Sequence, residues 1–142
     1  MLRNLTAADR EEYLTMANDF YHTNAVMQPV PTAHFERTLD LLLGGSPYAE
    51  GYLYEVAGQT AGYALLALTH SQEFGGLVIW LEELYVKPEA RGHGFMRELL
   101  SYIRQLHPQA KCLRLEAEPD NQKAVALYQK CGFDWIDYRS MY

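Results

Sequence analysis

Apolar residues recur along this chain first at helical spacing, then at strand spacing, and then in alternating blocks of the two. Residues 2–5 predict a short first strand. Thr6 or Asp9 caps a helix that runs to about Phe20, with Tyr13, Leu14, Ala17 and Phe20 or Tyr21 on one face. Residues 22–31 form a loop closed by Pro29 and Pro31. A second helix starts at Thr32, carries Phe35, Leu39, Leu42 and Leu43 on one stripe, and stops at Gly44-Gly45-Ser46-Pro47.

The middle of the chain reads as sheet. Residues 51–57 and 60–70 make a hairpin about Gly58-Gln59, and Phe74-Gly75-Gly76 is a second turn. Residues 77–86 form an apolar strand broken only by Glu82 and Glu83. Simple alternation puts Trp80, Glu82, Leu84 and Val86 on one face and Ile79, Leu81, Glu83 and Tyr85 on the other; a bulge would change that phase. Residues 92–107 are a helix, 112–117 a strand, 121–131 a helix stopped by Gly132, and 133–142 a last strand. The result is an α/β sandwich, one domain over residues 1–142. A crossover helix should set strands 77–86 and 112–117 parallel within an otherwise antiparallel sheet.

Composition narrows the function more than the fold. Half the residues are hydrophobic (49%), enough for one core in 142 residues. The net charge of −6 argues against nucleic acid or an anionic membrane as partner, because both need a basic face. Cys112 and Cys131 have no CxxC spacing, and His22, His34, His70 and His107 have no metal-ligand spacing, so no metal site is expected. The N-terminus turns polar at once and no membrane-length apolar run follows, which predicts a cytoplasmic protein.

The chemistry concentrates between residues 82 and 100. A buried strand ends at Lys87-Pro88, and Arg91-Gly92-His93-Gly94 then opens a helix. A helix N-terminus has unpaired amide donors and a partial positive charge, and glycines let an anion approach the backbone. Pyrophosphate suits such a site. The GxxxxGK[ST] nucleotide loop and the GxGxxG dinucleotide fingerprint are both absent. The two glycines alone would equally serve a tight turn.

Two motifs decide between these readings. The run from Arg91 to Met96 resembles the coenzyme A signature of the GNAT superfamily of N-acetyltransferases: Gln or Arg, two residues, Gly, one residue, then Gly or Ala. Downstream, Asn121, Ala124, Leu127-Tyr128 and Gly132-Phe133 are similar to that family's second marker in residue type and spacing. The match covers residues 77–133. It departs at the last signature position, occupied by Met96, whose side chain either crowds the phosphates or turns onto the sheet.

The resemblance implies a GNAT-like mixed sheet of six to seven strands flanked by helices. With the chain read to Tyr142, the seventh strand is absent or comes from a neighbouring subunit, and an open sheet edge admits a homodimer. It also implies acetyl-coenzyme A as acyl donor and a small-molecule amine as acceptor, with a leaning towards polyamines. Main-chain groups of Leu84, Tyr85 and Val86 would hold pantetheine and the acetyl oxygen. Arg91, Gly92, His93, Gly94, Phe95 and Met96 would hold the pyrophosphate, chiefly by backbone N–H. Glu82 would act as base through a water, or clamp the acceptor's ammonium; otherwise it pairs with an Arg or caps a loop. Tyr128 would protonate the leaving thiolate. Asn121 caps its helix or bonds the cofactor. Glu83 falls on the opposite face, where structural pairing is its expected use. Residues 20–35 would build the acceptor pocket, with Tyr21 and His22 at its roof. A protein or peptide acceptor, and a non-catalytic coenzyme A-binding module, remain alternatives on the same scaffold.

Overall fold

The computed structural model describes residues 1–23 and 29–142. Five strands form one sheet in chain order: β1 (Leu2–Asn4), β2 (Ala49–Val56), β3 (Gln59–Ser71), β4 (Gly76–Val86) and β5 (Cys112–Leu115). The first four are antiparallel neighbours, and β5 runs parallel to β4, as the crossover requires. Helices α1 (Arg10–Phe20) and α2 (Thr32–Leu43) cover one face. Helices α3 (Phe95–Leu106) and α4 (Gln122–Lys130) belong to the other.

The two cores follow strand alternation. Tyr52, Tyr54, Ala64 and Leu66 point towards α3, where they meet Met96, Leu99, Leu100 and Ile103. Leu53, Tyr63 and Leu65 point the other way, onto Tyr13, Met16, Ala17 and Phe20 of α1 and Phe35 and Leu39 of α2. The β2–β3 hairpin turns through Ala57 (φ 52°) and Gly58 (φ 74°), the two positive values that a tight two-residue turn demands.

Strict alternation fails in β4. Leu65 pairs with Glu83 and Leu66 with Leu81, so Glu82 is an extra residue, a β-bulge. Ile79 and Leu81 lie in the α3 core, yet Tyr85, of the same parity, lies in the α1/α2 core. The faces expected for this strand are therefore corrected. Glu83 and Tyr85 share the α1/α2 side, and Leu84 packs on the α3 side.

Three smaller expectations also change. Leu43 is exposed (38%), because only Phe35, Leu39 and Leu42 of α2 reach the sheet. The third helix begins at Phe95, after Gly92 and Gly94 take left-handed backbone. No strand forms over residues 133–142, so the sheet has five strands where six to seven were expected. Trp135, Ile136, Tyr138, Met141 and Tyr142 do not alternate, so they offer no single apolar face, and all five stay exposed. Ser140 Oγ donates to Glu116 Oε1 at 2.9 Å without joining the ladder.

A second constraint sits opposite the end of β4. Gly62 pairs with Val86, and a Cβ added at Gly62 would lie 2.2 Å from the Tyr85 carbonyl oxygen. That atom is backbone and has little room to yield. Gly62→Ala is expected to destabilise the protein by about 3 kcal/mol, read as a lower urea midpoint with an unchanged slope.

Candidate active site

The sheet splits beyond Leu81. The β4–β5 ladder runs from Val78 with Cys112 to Leu81 with Leu115 and stops. β4 continues to Val86, so its β5 side carries backbone groups of residues 82–86 with no strand opposite them. Leu84, Tyr85 and Val86 all lie on this free stretch. The bulge at Glu82 stands where the split begins.

At the end of the stretch lies the glycine loop. Gly92 (φ 84°) and Gly94 (φ 80°) have left-handed backbone, and the space a Cβ would take is open at both. The first α3 hydrogen bond runs from Glu98 N–H to the Gly94 carbonyl at 3.0 Å, so the amides of Phe95, Met96 and Arg97 have no partner within the helix. The loop is braced from below. Tyr54 O–H donates to the His93 carbonyl at 3.3 Å, and the Tyr54 and Phe95 rings lie 4.8 Å apart. Arg91 Nε–H donates to the Val86 carbonyl at 3.1 Å, tying the loop to the strand end rather than forming a surface ion pair. Met96 is 4% exposed and packs with Leu99 and Leu100. The unusual residue turns onto the sheet, leaving the outer face of the loop clear. A concave row of amide donors with an open surface suits a phosphate-bearing ligand.

Glu82 lines a cavity of about 280 Å³ with Trp80, Leu81 and Glu116. Among the described residues it makes no hydrogen bond or ion pair, so the pairing with an Arg is not formed. The guanidinium of Arg114 stacks on the Trp80 ring at 4.5 Å. Partial burial, and then the charge of Glu116, raises the Glu82 carboxyl above the usual carboxylate range.

Glu83 turns to the other face and is half-buried. Tyr21 O–H donates to its Oε1, and Tyr63 O–H donates to its Oε2 at 2.9 Å. Burial raises its pKa, against the two tyrosine donors, which lower it. The sequence marks this cluster only as a second glutamate in an apolar strand. Its tyrosine partners come from α1 and β3 and carry no local motif.

On α4, Asn121 caps the helix, its Oδ1 accepting from Ala124 N–H at 3.3 Å. Tyr128 packs on the cluster that also takes Leu84 and Leu115, the residues flanking the split. Burial pushes its phenol above the ordinary value, and its hydroxyl makes no hydrogen bond among the described residues. Tyr21 and Phe35 bound the proposed roof, their rings 5.2 Å apart, while residues 24–28 of that expected pocket lie outside the described residues. His22 is exposed, its Nδ1 2.6 Å from the Asn18 carbonyl of its own helix. Among the described residues no group of three or more His, Cys, Asp or Glu is placed to hold a metal ion, and no helix is long and apolar enough to cross a membrane.

Comparison with known proteins gives this geometry a lineage. Residues 11–133 match the model of the acetyltransferase (GNAT) family. A thialysine N-epsilon-acetyltransferase of Bos taurus is 34% identical over 73 residues, 50% of this chain and 42% of that protein. The peptidyl-lysine N-acetyltransferase YiaC of Escherichia coli is 36% identical over 58 residues, 41% of this chain and 38% of that protein. The aminoglycoside acetyltransferase AAC(6')-Iy, solved with a bisubstrate analogue of coenzyme A and acetylneamine, superimposes with a TM-score of 0.81 at 16% identity over 100% of this chain and 95% of that one. The chain spans between 36% and 55% of the length of the curated relatives it matches. It belongs to the GNAT family and has the family's fold.

The cap at Asn121 sets the start of the helix that carries Tyr128. Asn121→Ala should cost about 1 kcal/mol of stability, measurable as a shift in the urea midpoint.

Proposed function

We propose that this member of the GNAT family transfers the acetyl group of acetyl-coenzyme A to a primary amine of a small molecule, and that residues 1–142 act as one acetyltransferase domain. The observation that carries the reading is the split after Leu81 and Leu115, flanked by a carboxylate and a phenol that make no hydrogen bond among the described residues, Glu82 and Tyr128. Glycine-loop amides from Arg91 to Met96 would take the pyrophosphate. Main-chain groups of Leu84, Tyr85 and Val86 would take pantetheine and the thioester oxygen. Asn121, already a cap through Oδ1, keeps its side-chain N–H₂ for a cofactor carbonyl.

The chemistry follows from protonation states. An alkylammonium has a pKa of about 10.4, so at neutral pH only about one acceptor molecule in 10³ is a nucleophile. Glu82, directly or through a water, removes that proton. The neutral amine attacks the thioester carbonyl, and a backbone N–H of the free β4 stretch steadies the oxyanion. The C–S bond then breaks, and Tyr128, whose raised pKa keeps it protonated at neutral pH, supplies a proton to the thiolate. The attacking nitrogen gives up its extra proton to the phenolate, directly or through water, as the amide forms. Two such groups, without hydrogen-bond partners among the described residues, favour catalysis over a non-catalytic coenzyme A-binding module.

The cavity beside Glu82 and the relatives' printed acceptors, thialysine and an aminoglycoside, favour a small amine. The relative named for peptidyl-lysine keeps a protein acceptor as the second reading. Half-buried free thiols at Cys112 and Cys131 fit a reducing cytoplasm. The unpaired outer edge of β5 and the exposed apolar residues of the tail fit a homodimer, which light scattering after size exclusion would reveal as twice the 16.3 kDa chain mass.

Thiol release should be measured with acetyl-coenzyme A against a panel of diamines, amino acids, aminoglycosides and lysine peptides. Turnover is expected among the small amines; turnover of peptides alone would move the assignment to the second reading. Binding of coenzyme A without turnover of any acceptor would leave the non-catalytic module. Because the pKa of Glu82 is raised, wild-type kcat/KM should rise with pH through an acidic limb that lies above the usual glutamate range. Glu82→Gln should lose that limb and be lowered about 10²-fold, most strongly on the alkaline side. Tyr128→Phe should lower kcat about tenfold or more in single-turnover measurements, with coenzyme A affinity unchanged by calorimetry.

A further inference from the structure

The stretch of β4 beyond the bulge has lost one neighbour. β5 stops at Leu115, opposite Leu81, so residues 82–86 keep only β3 beside them. A stretch with one open edge opens locally unless something else holds it.

Three side chains of this stretch reach α1. Glu83 Oε1 accepts from Tyr21 O–H, Tyr85 O–H donates to Asp19 Oδ2 at 3.3 Å, and Lys87 Nζ pairs with Glu12 Oε1. The three alternate, as residues on one face of a strand do, and their partners run backwards along the helix from its C-cap, Tyr21. The lengths agree. A strand rises about 13 Å from Glu83 to Lys87, and a helix rises about 14 Å from Glu12 to Tyr21. Glu12 and Asp19 stand two turns apart on one stripe. α1 therefore lies antiparallel along the free stretch, with side-chain rungs where β5 would have supplied main-chain ones. Glu83 Oε2 accepts from Tyr63 O–H of β3 at 2.9 Å, and the Tyr63 and Tyr85 rings stack at 5.8 Å, so the first two rungs are braced by the neighbouring strand. Among the described residues no side-chain hydrogen bond joins α1 to residues 76–81, the part of β4 that reaches the split. A longer β5 would have taken up the edge with its own hydrogen bonds. Rungs to α1 hold the strand from its face and leave the edge N–H and C=O groups open.

We propose that α1 is the support of the donor's backbone edge. Glu83, Tyr85 and Lys87 are positioning residues, and through them Glu12, Asp19 and Tyr21 set how well the main chain of residues 84–86 receives pantetheine and the thioester oxygen. This rests on the reading of that edge as the donor's. The rungs act through the backbone they hold.

Glu12→Ala with Asp19→Ala removes two rungs from the helix side, at exposed positions. Coenzyme A should bind about fivefold more weakly by calorimetry, while acceptor KM changes less than about twofold. Loss of two negative charges would by itself tighten an anionic ligand, so the expected sign is opposite to a simple charge effect. Equal or tighter binding would overturn the proposal. Tyr85→Phe changes no charge; it should weaken coenzyme A about threefold and add nothing in the Asp19→Ala background, because both remove one bond. Additive losses would also overturn it. Amide hydrogen exchange without ligand gives a second readout on the same variants. It should quicken over residues 83–87, where Lys87 N–H donates to the Ala61 carbonyl at 2.8 Å, and stay unaltered over residues 78–81, which pair with β5. Quickened exchange with full coenzyme A affinity would leave a brace without a role in donor binding, and the proposal would fail. If the wild-type protein binds no coenzyme A, the functional reading falls, and the exchange contrast alone decides whether α1 holds this stretch. Should the double variant not fold, Tyr85→Phe gives both readouts.

Discussion

The extra residue in β4 organises this molecule. Without it, Glu82 and Glu83 would alternate in step with the apolar residues before them, and Tyr85 would point into the α3 core. With it, the strand changes phase at the point where β5 departs. One glutamate faces the cavity at the split and its neighbour enters the tyrosine cluster under α1. A bulge also raises local twist, which suits a strand that must leave one partner while keeping another.

The two sides of the split are built from different materials. The side proposed for the donor is backbone: glycines with left-handed dihedrals, helix amides and the free edge of β4. Backbone geometry depends little on side-chain identity, so this side carries readable motifs. The side proposed for the acceptor is side chains drawn from β4 and the residues following β5. Its members are far apart in sequence, as Glu82 and Glu116 are, and no spacing rule links them.

That difference explains what was legible. Helical stripes gave α1, α2 and α3, because Tyr13, Phe35, Leu39, Leu99 and Ile103 recur at helical spacing and are buried. The parallel pair followed from the crossover helix. The Arg91–Met96 and Asn121–Phe133 motifs marked a glycine loop that opens α3 and the capped helix α4, and both form. Glu83 and Tyr85 were grouped with Ile79 and Leu81 because alternation contains no information on bulges. The supposed last strand was read from β-prone aromatics such as Trp135 and Tyr138, yet strand formation also requires a partner edge, which local composition does not describe. The side chain of Met96 had two open directions in sequence. Packing chose one, because the apolar floor formed by Ile79, Leu81 and Leu99 lay beneath it.

Met96 has a wider implication. In the proposed function the first turn of α3 would line the donor's charged end, and the same few residues anchor the core. Where the family signature has a small residue, the two duties are separable; here they share one side chain. Selection for heat tolerance and selection for tighter donor binding would therefore act on the same atoms, and an adaptive path in one property would carry the other with it.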